Sequence, residues 1–283
     1  MPEIPEVQAH SERMTKALAG WTLHRFEPLN FAVLKTFNPP PDGAVGHRLV
    51  TVGRRAKYLM MEFDNGHRHV VHLMQGGRLR PDEKRSRKPK FGLARWVFTD
   101  DNGEDQAWLL TEAGTERKAG VWVVDGDPLP VEPLDRLGPE ATGISRDELA
   151  ELLGTHSRRI HGLLREQTVI AGLGRMLANE ICYEAKLSPF ANASKLDADE
   201  IDRLHAAIGT VVEAATDHER TLDDIGKSAD RPSKVHNRAG EPCTGCDGTV
   251  HTVEYRRYTV YYCPTEQTGG KILADNTTSK FLK

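Results

Sequence analysis

The chain opens Met1-Pro2-Glu3-Ile4-Pro5-Glu6-Val7, and the second and third of these residues could do chemistry. With the initiator Met removed, Pro2 carries a free secondary amine. An α-amino group with a reference pKa of roughly 7.7–8.0 is partly neutral near pH 7. A neutral secondary amine can attack an aldehyde-like carbon and form an iminium, and Glu3 could move protons for that step. The same stretch also reads as a plain helix lead-in, with Pro5 suited to a first helical turn and Glu6 complementing the helix dipole. The rest of the chain has to decide between the two.

Three other groups bear on that choice. Cys243-Thr244-Gly245-Cys246 and Cys263-Pro264-Thr265-Glu266 are separated by 16 residues. Two such knuckles joined by a hairpin, for which residues 251–262 alternate well enough, make the layout of a zinc ribbon. Glu266 stands where a fourth Cys would complete the set. Its carboxylate can bind Zn²⁺, His236 or His251 could serve instead, and a metal-free hairpin with buried thiols is the other reading. Gly172-Leu173-Gly174 forms a tight turn before a helix expected over about Met176–Lys186. Backbone N–H groups at such a helix start suit a phosphate, though close packing is the ordinary use of glycine there. Cys182, inside this helix, reads as a small buried residue. Finally, Gly53-Arg54-Arg55-Ala56-Lys57-Tyr58 places three cations ahead of a strand, either to meet phosphate and sugar or as plain exposed charge.

The elements that must position these residues follow from periodicity. Residues 5–19 predict a helix with Val7, His10, Met14, Ala17 and Leu18 on one stripe. Short strands are expected at 55–63, 69–73, 93–98, 108–110 and 120–124, with Asp101-Asn102-Gly103 as a hairpin signal. Residues 78–90 hold seven Lys/Arg against two acids and predict a loop, solvated or phosphate-contacting. Residues 126–142 are the Pro/Gly-rich linker. Beyond it the pattern is helical, with a capping box at Ser145–Glu148, a helix near 158–166 and another from Asp197 carrying Ile201, Leu204, Ile208, Val211 and Ala215.

At 283 residues with 38% hydrophobic and 28% charged residues, the composition is that of a globular protein of two or more domains. The formal net charge of −3 means that any polyanion surface must come from local clustering. No apolar run approaches the ~18 residues of a membrane span and no signal-peptide pattern is present, so the expected compartment is the cytoplasm, with no membrane partner.

Taken in order, these motifs resemble the formamidopyrimidine-DNA glycosylase and endonuclease VIII family of bacterial base-excision enzymes. The similarity runs nearly end to end: Pro2-Glu3 with Pro5-Glu6-Val7, Lys57 in RRAKYL, His72-Leu73, the IAGLG and ANE stretch at 170–180, and Arg238–Cys243 leading into the finger. The resemblance implies an α+β multidomain protein. Residues 1–125 would form an antiparallel β-sandwich with a leading helix, and residues 143–225 a helix–two-turns–helix domain. Residues 226–283 would form a loop and a zinc-finger-like β-hairpin, with DNA between the domains. It implies a glycosylase with AP lyase activity, acting as a monomer on double-stranded DNA that carries damaged bases or abasic sites. Pro2 would attack C1′ of the damaged nucleotide, Glu3 would act as acid/base at the sugar, and Lys57 would assist at phosphate and in β-elimination, with Glu6 beside them. The nucleotide must first leave the stack. Zn²⁺ would be held by Cys243, Cys246, Cys263 and Glu266.

The chain departs from the family at DNA-contacting positions. After Gly172 and Gly174 the family has Asn, and here Arg175 keeps a phosphate donor and adds charge. A family Lys is matched by His161, a pH-dependent cation. H-L-G-M-S-G reads His72–Gly77, with Met74 and Gln75 at the wedge; R-R-F-G reads Arg117-Lys118-Ala119-Gly120, without its aromatic. The finger's tip Arg falls on Tyr258, with Arg257 one place earlier. A smaller, more polar wedge stabilises a flipped nucleotide less. Two readings fit: a glycosylase/lyase with an unusual substrate, or a damaged-DNA-binding protein that has lost efficient excision.

Overall fold

A computed structural model describes residues 1–114, 117–226, 230–255 and 258–274. By contact the chain divides into two compact units, Met1–Arg136 with Glu219–Lys227, and Leu137–His218 with Ser228–Lys283. Among the described residues no helix is long and apolar enough to cross a membrane.

The first unit starts with helix α1 (Ile4–Leu18), followed by strands β1 (Thr22–Pro28), β2 (Leu49–Arg55), β3 (Tyr58–Phe63), β4 (His67–His72), β5 (Gly77–Pro81), β6 (Gly92–Thr99), β7 (Asp105–Glu112) and β8 (Gly120–Asp125). They form two antiparallel four-stranded sheets, β1-β6-β7-β5 and β2-β3-β4-β8. One apolar cluster lies between them, built from Leu23, Phe26, Trp96 and Leu110 of the first sheet and Leu49, Leu59, Met61, Phe63 and Val121 of the second. The period-2 rule explains the split: along β3, Leu59, Met61 and Phe63 are buried while Tyr58, Met60 and Glu62 are not. The expected sandwich with a leading helix is present. Val7, Met14 and Leu18 of α1 belong to the same cluster.

Strands β1, β2 and β5 are additional to those that periodicity predicts, and the single strand expected over 55–63 is not continuous. The chain instead reverses at Ala56-Lys57: Arg55 pairs with Tyr58 across a two-residue hairpin, with Ala56 at φ +50°. Lys57 therefore sits at a hairpin tip. A two-residue hairpin usually announces itself by Asn-Gly or Asp-Gly, and Ala-Lys gives no such signal. Likewise the start of the expected basic loop is β5, which pairs with β7. Residues 219–225 join this unit: Ile225 lies in its core, Arg13 Nη1 donates to the carbonyls of Glu219 and Leu222, and Arg220 pairs with Glu12 at 2.7 Å.

The second unit contains α2 (Arg146–Gly154), α3 (Ile160–Leu163), α4 (Arg175–Glu184) and, up to His218, α5 (Ala198–Arg220), then β9 (His251–Tyr255), β10 (Tyr258–Tyr262) and α6 (Pro264–Thr268). The capping box holds: Ser145 N–H donates to Glu148 Oε2, and Glu148 N–H to Ser145 Oγ. The helix expected at 158–166 is only the single turn of α3. The antiparallel hairpin β9–β10 lies where the cysteine spacing placed it.

Between β4 and β5 the chain turns through Leu73–Gly77. Gly77 N–H donates to the Leu73 carbonyl at 2.8 Å, and a Cβ on Gly77 would sit 2.0 Å from that oxygen. Gly77→Ala is expected to cost about 3 kcal/mol or more of stability, because the obstacle is backbone that cannot move aside; urea unfolding would measure it.

Candidate active site and nucleic-acid interface

The N-terminus is held in the first unit. Pro2 is buried, Glu3 is 3% exposed and Glu6 fully buried. Glu3 N–H donates to Glu6 Oε2 at 2.9 Å, so Glu6, expected at the catalytic centre, caps the start of α1. The Met1 amine has a lowered pKa. Burial is the main cause; Glu3 and Glu6 oppose it, while Arg78 and Lys57 add to it. These groups therefore gather around the terminal amine. Lys57 is itself 4% exposed, a buried cation delivered by the β2–β3 hairpin tip.

A cavity of about 530 Å³ adjoins this terminus, lined by Met1, Met74, Gln75, Glu112, Arg117 and Lys118 among others. Four of the residues expected to contact DNA thus share one wall with the chain terminus. Met74 has φ +52°, and its N–H donates to His72 Nδ1 at 3.0 Å. That acceptor stays available because burial, aided by Lys57, holds the His72 pKa down to about 4. Glu112, 5% exposed, accepts the Ala119 N–H at 2.7 Å on Oε2 and so fixes the 117–119 segment. Sequence reasoning gave neither His72 nor Glu112 a role, and a His or Glu in a strand carries no local signal for one.

In the second unit, Gly172 has φ +102° and Gly174 is the N-cap of α4. Gln167 clasps the turn: its Oε1 accepts the Gly172 N–H at 3.0 Å and its Nε2 donates to the Leu173 carbonyl at 2.8 Å. Arg175 is exposed at the first position of the helix. A second cavity, about 620 Å³, is lined by Arg158, Arg159, His161, Arg165, Phe190 and Tyr258 among others. His161, expected as a pH-dependent cation, is instead neutral: it is 2% exposed, and burial, with Arg165 nearby, lowers its pKa to about 3. Its ring stacks on Tyr258 at 5.9 Å, and the Arg165 guanidinium lies 4.1 Å from the Tyr258 ring centroid. The positive charge here comes from arginines, not from position 161. Arg257 lies outside the described residues.

The thiol sulfurs of Cys243, Cys246 and Cys263 lie within 4.8 Å of one another. Three thiols so close suit a tetrahedral metal site. Burial opposes ionisation of Cys243, but hydrogen bonds from Tyr183 and neighbouring groups outweigh it and bring the thiol to about 7. Glu266 is outside this group of three, and its carboxylate pairs with Lys186 Nζ at 3.2 Å. His236 does not join it either, since its Nδ1 meets Asn179 at 2.7 Å. Gln267 accepts the Cys263 N–H and donates to the Leu187 carbonyl, tying the knuckle to the end of α4.

Comparison with known proteins agrees with this layout. The profile of the formamidopyrimidine-DNA glycosylase N-terminal domain matches residues 1–109, and that of the H2TH domain of the same enzymes matches residues 137–224. A formamidopyrimidine-DNA glycosylase of Chloroflexus aurantiacus is 31% identical over 284 residues, covering 94% of this chain and 98% of the relative. The chain belongs to the formamidopyrimidine-DNA glycosylase family. An uncharacterized formamidopyrimidine-DNA glycosylase-like protein of Mycobacterium tuberculosis is 40% identical over 149 residues, 52% of this chain and 94% of that protein. The fold is shared with the Lactococcus lactis formamidopyrimidine-DNA glycosylase bound to DNA containing an AP site: TM-score 0.82, 24% identity, 94% of this chain and 99% of the other.

Five imidazoles of this chain are held neutral by burial. Burial lowers the pKa of His10, His69 and His161 to about 3, and those of His72 and His236 to about 4. Unfolded imidazoles take up protons near 6.5, whereas these do not while folded. Their contribution is therefore complete above pH 6.5 and is lost as pH falls below it. Each contributes up to about 1.4 kcal/mol per pH unit. Urea midpoints should fall between pH 6.5 and 5, and His161→Gln should remove about one proton from that slope.

Proposed function

We propose that the protein is a DNA glycosylase with AP lyase activity that uses the Pro2 amine. The observation that carries this reading is the terminal amine, partly withdrawn from solvent beside the charges of Glu3, Glu6, Lys57 and Arg78, on a residue that lines a cavity. Removal of Met1 makes Pro2 the terminal amine, in surroundings whose burial lowers an amine's pKa and so favours its neutral form.

With the damaged nucleotide out of the stack, the Pro2 nitrogen lone pair forms a bond to C1′ and the glycosidic bond breaks. The departing base takes the proton that the amine sheds. Glu3 protonates the ring oxygen, the C1′–O4′ bond opens, and an iminium links protein and sugar. Loss of a C2′ proton then expels the 3′ phosphate by β-elimination, with Lys57 as the cation at that phosphate. Glu6 supports the step by holding Glu3 at the helix start. Met74, Gln75, Arg117 and Lys118 would line the space next to the flipped nucleotide. The turn Gly172–Gly174 with Arg175, and the Arg165–Tyr258–His161 stack, would meet backbone phosphates and sugars of duplex DNA carrying damaged bases or abasic sites. Residues 1–125 thus carry the chemistry, residues 143–225 and 226–283 the binding, and residues 126–142 the link.

Incubating the protein with abasic and oxidised-base duplexes in the presence of borohydride should trap a covalent protein–DNA adduct, which Pro2→Gly should abolish. With Met1 confirmed absent, no adduct from the wild type would sink the catalytic reading. Salt-sensitive binding that survives without strand cutting would instead identify a non-catalytic damaged-DNA-binding protein.

Cys243, Cys246 and Cys263 would hold a structural zinc, with Glu266 turning from Lys186 to complete four-coordination. Zinc there would stiffen the hairpin and take no part in the chemistry. Metal analysis should find about one zinc per chain, and Glu266→Cys should slow its loss to a chelator. Freshly purified protein without zinc would show that the hairpin folds on hydrogen bonds alone.

A further inference from the structure

The basic loop after β5 is neither solvated slack nor part of the machinery described above. Its base is pinned. Arg95, 4% exposed, pairs through Nε with Asp82 at 2.7 Å and through Nη1 with Glu27 at 2.8 Å, and its Nη2 donates to the Ser86 carbonyl at 2.6 Å. The loop ends in a tight turn in which Gly92 N–H donates to the Pro89 carbonyl, leaving Lys90 and Phe91 as its central residues. Phe91 has φ +61°. A positive φ at the second central position is one that turns give to Gly or Asn, and a bulky side chain there is an outlier. Such outliers persist where something else requires the side chain.

The apolar core does not require it. Phe91 is half-buried and stands outside the core cluster. What its ring touches is charge: Lys90 Nζ lies 5.0 Å from the ring centroid and the Arg117 guanidinium 5.5 Å. Both cations are exposed. The Phe91 carbonyl accepts the Glu112 N–H at 3.1 Å, and Glu112 and Arg117 both line the cavity beside Met1.

We propose that Phe91 is a positioning residue for DNA binding, its ring carrying Lys90 and Arg117 so that both cations face a backbone phosphate at the rim of that cavity. A guanidinium lying on an aromatic ring keeps its N–H fork available for phosphate oxygens while losing less freedom on binding. The arm thereby joins the basic loop to the cavity wall and adds a phosphate contact next to the nucleotide being processed. This rests on the DNA reading above.

Phe91→Gly tests it, because glycine suits the backbone conformation and removes only the ring. The expected result is an unfolding midpoint equal to or above wild type. Affinity for a duplex carrying a reduced abasic analogue should fall by about tenfold. The slope of log K against log salt should become shallower by about 1, the loss of one phosphate contact. Phe91→Tyr should restore both affinity and slope. The proposal is overturned if Phe91→Gly keeps wild-type affinity and salt slope, or if it loses stability in step with binding, which would make the ring a packing group. A wild-type protein that does not bind the duplex refutes the DNA reading itself, and the proposal with it.

Discussion

The candidate active site depends on the burial of one helix. Chain termini usually fray, and a nucleophile on a frayed terminus would sample too many positions to react efficiently. Here Val7, Met14 and Leu18 of α1 are packed into the same cluster as both sheets of the sandwich, so the helix start is fixed by the core. Glu3 occupies the N-cap, with its N–H bonded to Glu6. The balance of charges around the terminal amine follows from that placement. Two carboxylates and two cations act on it at once, and burial tips the balance toward the neutral form that a nucleophile needs.

The second unit buries its own apolar side chains, among them Leu149, Ile160, Leu177 and Ile181, and adds to them a set of buried polar contacts. Glu180 accepts the backbone N–H groups of Lys234, Val235 and His236. Its neighbour Asn179 meets His236 and accepts the Tyr261 N–H. Tyr183, one turn further along α4, reaches Cys243. The Ala178-Asn179-Glu180 run thus serves to hold the hairpin and its approach on α4. Buried polar groups of this kind are costly when unsatisfied and specific when satisfied, which makes α4 the organising element of this unit.

Charge at the two cavities is arranged by aromatic rings. Tyr258 carries Arg165, Phe190 carries Arg159, and Phe91 carries Arg117 and Lys90. With a formal net charge of −3, the protein has no general attraction for a polyanion, so any such attraction has to come from local placement of cations. His161, which by residue type counts among the cations, is neutral because it is buried against Tyr258.

The sequence by itself determined the elements whose signals are local: the α1 stripe, the capping box at Ser145–Glu148, the glycine turn before α4 and the cysteine spacing of the hairpin. Each of these depends on residues a few positions apart, which is the range over which periodicity and capping operate. The order of its motifs was also enough for the family. Tertiary structure alone decided the rest. Lys57 stands at a hairpin tip because Arg55 pairs with Tyr58, and nothing in Ala-Lys announces a turn. His161 lost its charge and Glu266 took Lys186 as partner because of neighbours far away in the chain. Phe91, unremarked in the sequence, came to lie beside Arg117 because Glu112 binds its carbonyl. Burial and partnership are set by long-range packing, and protonation and side-chain direction follow from them.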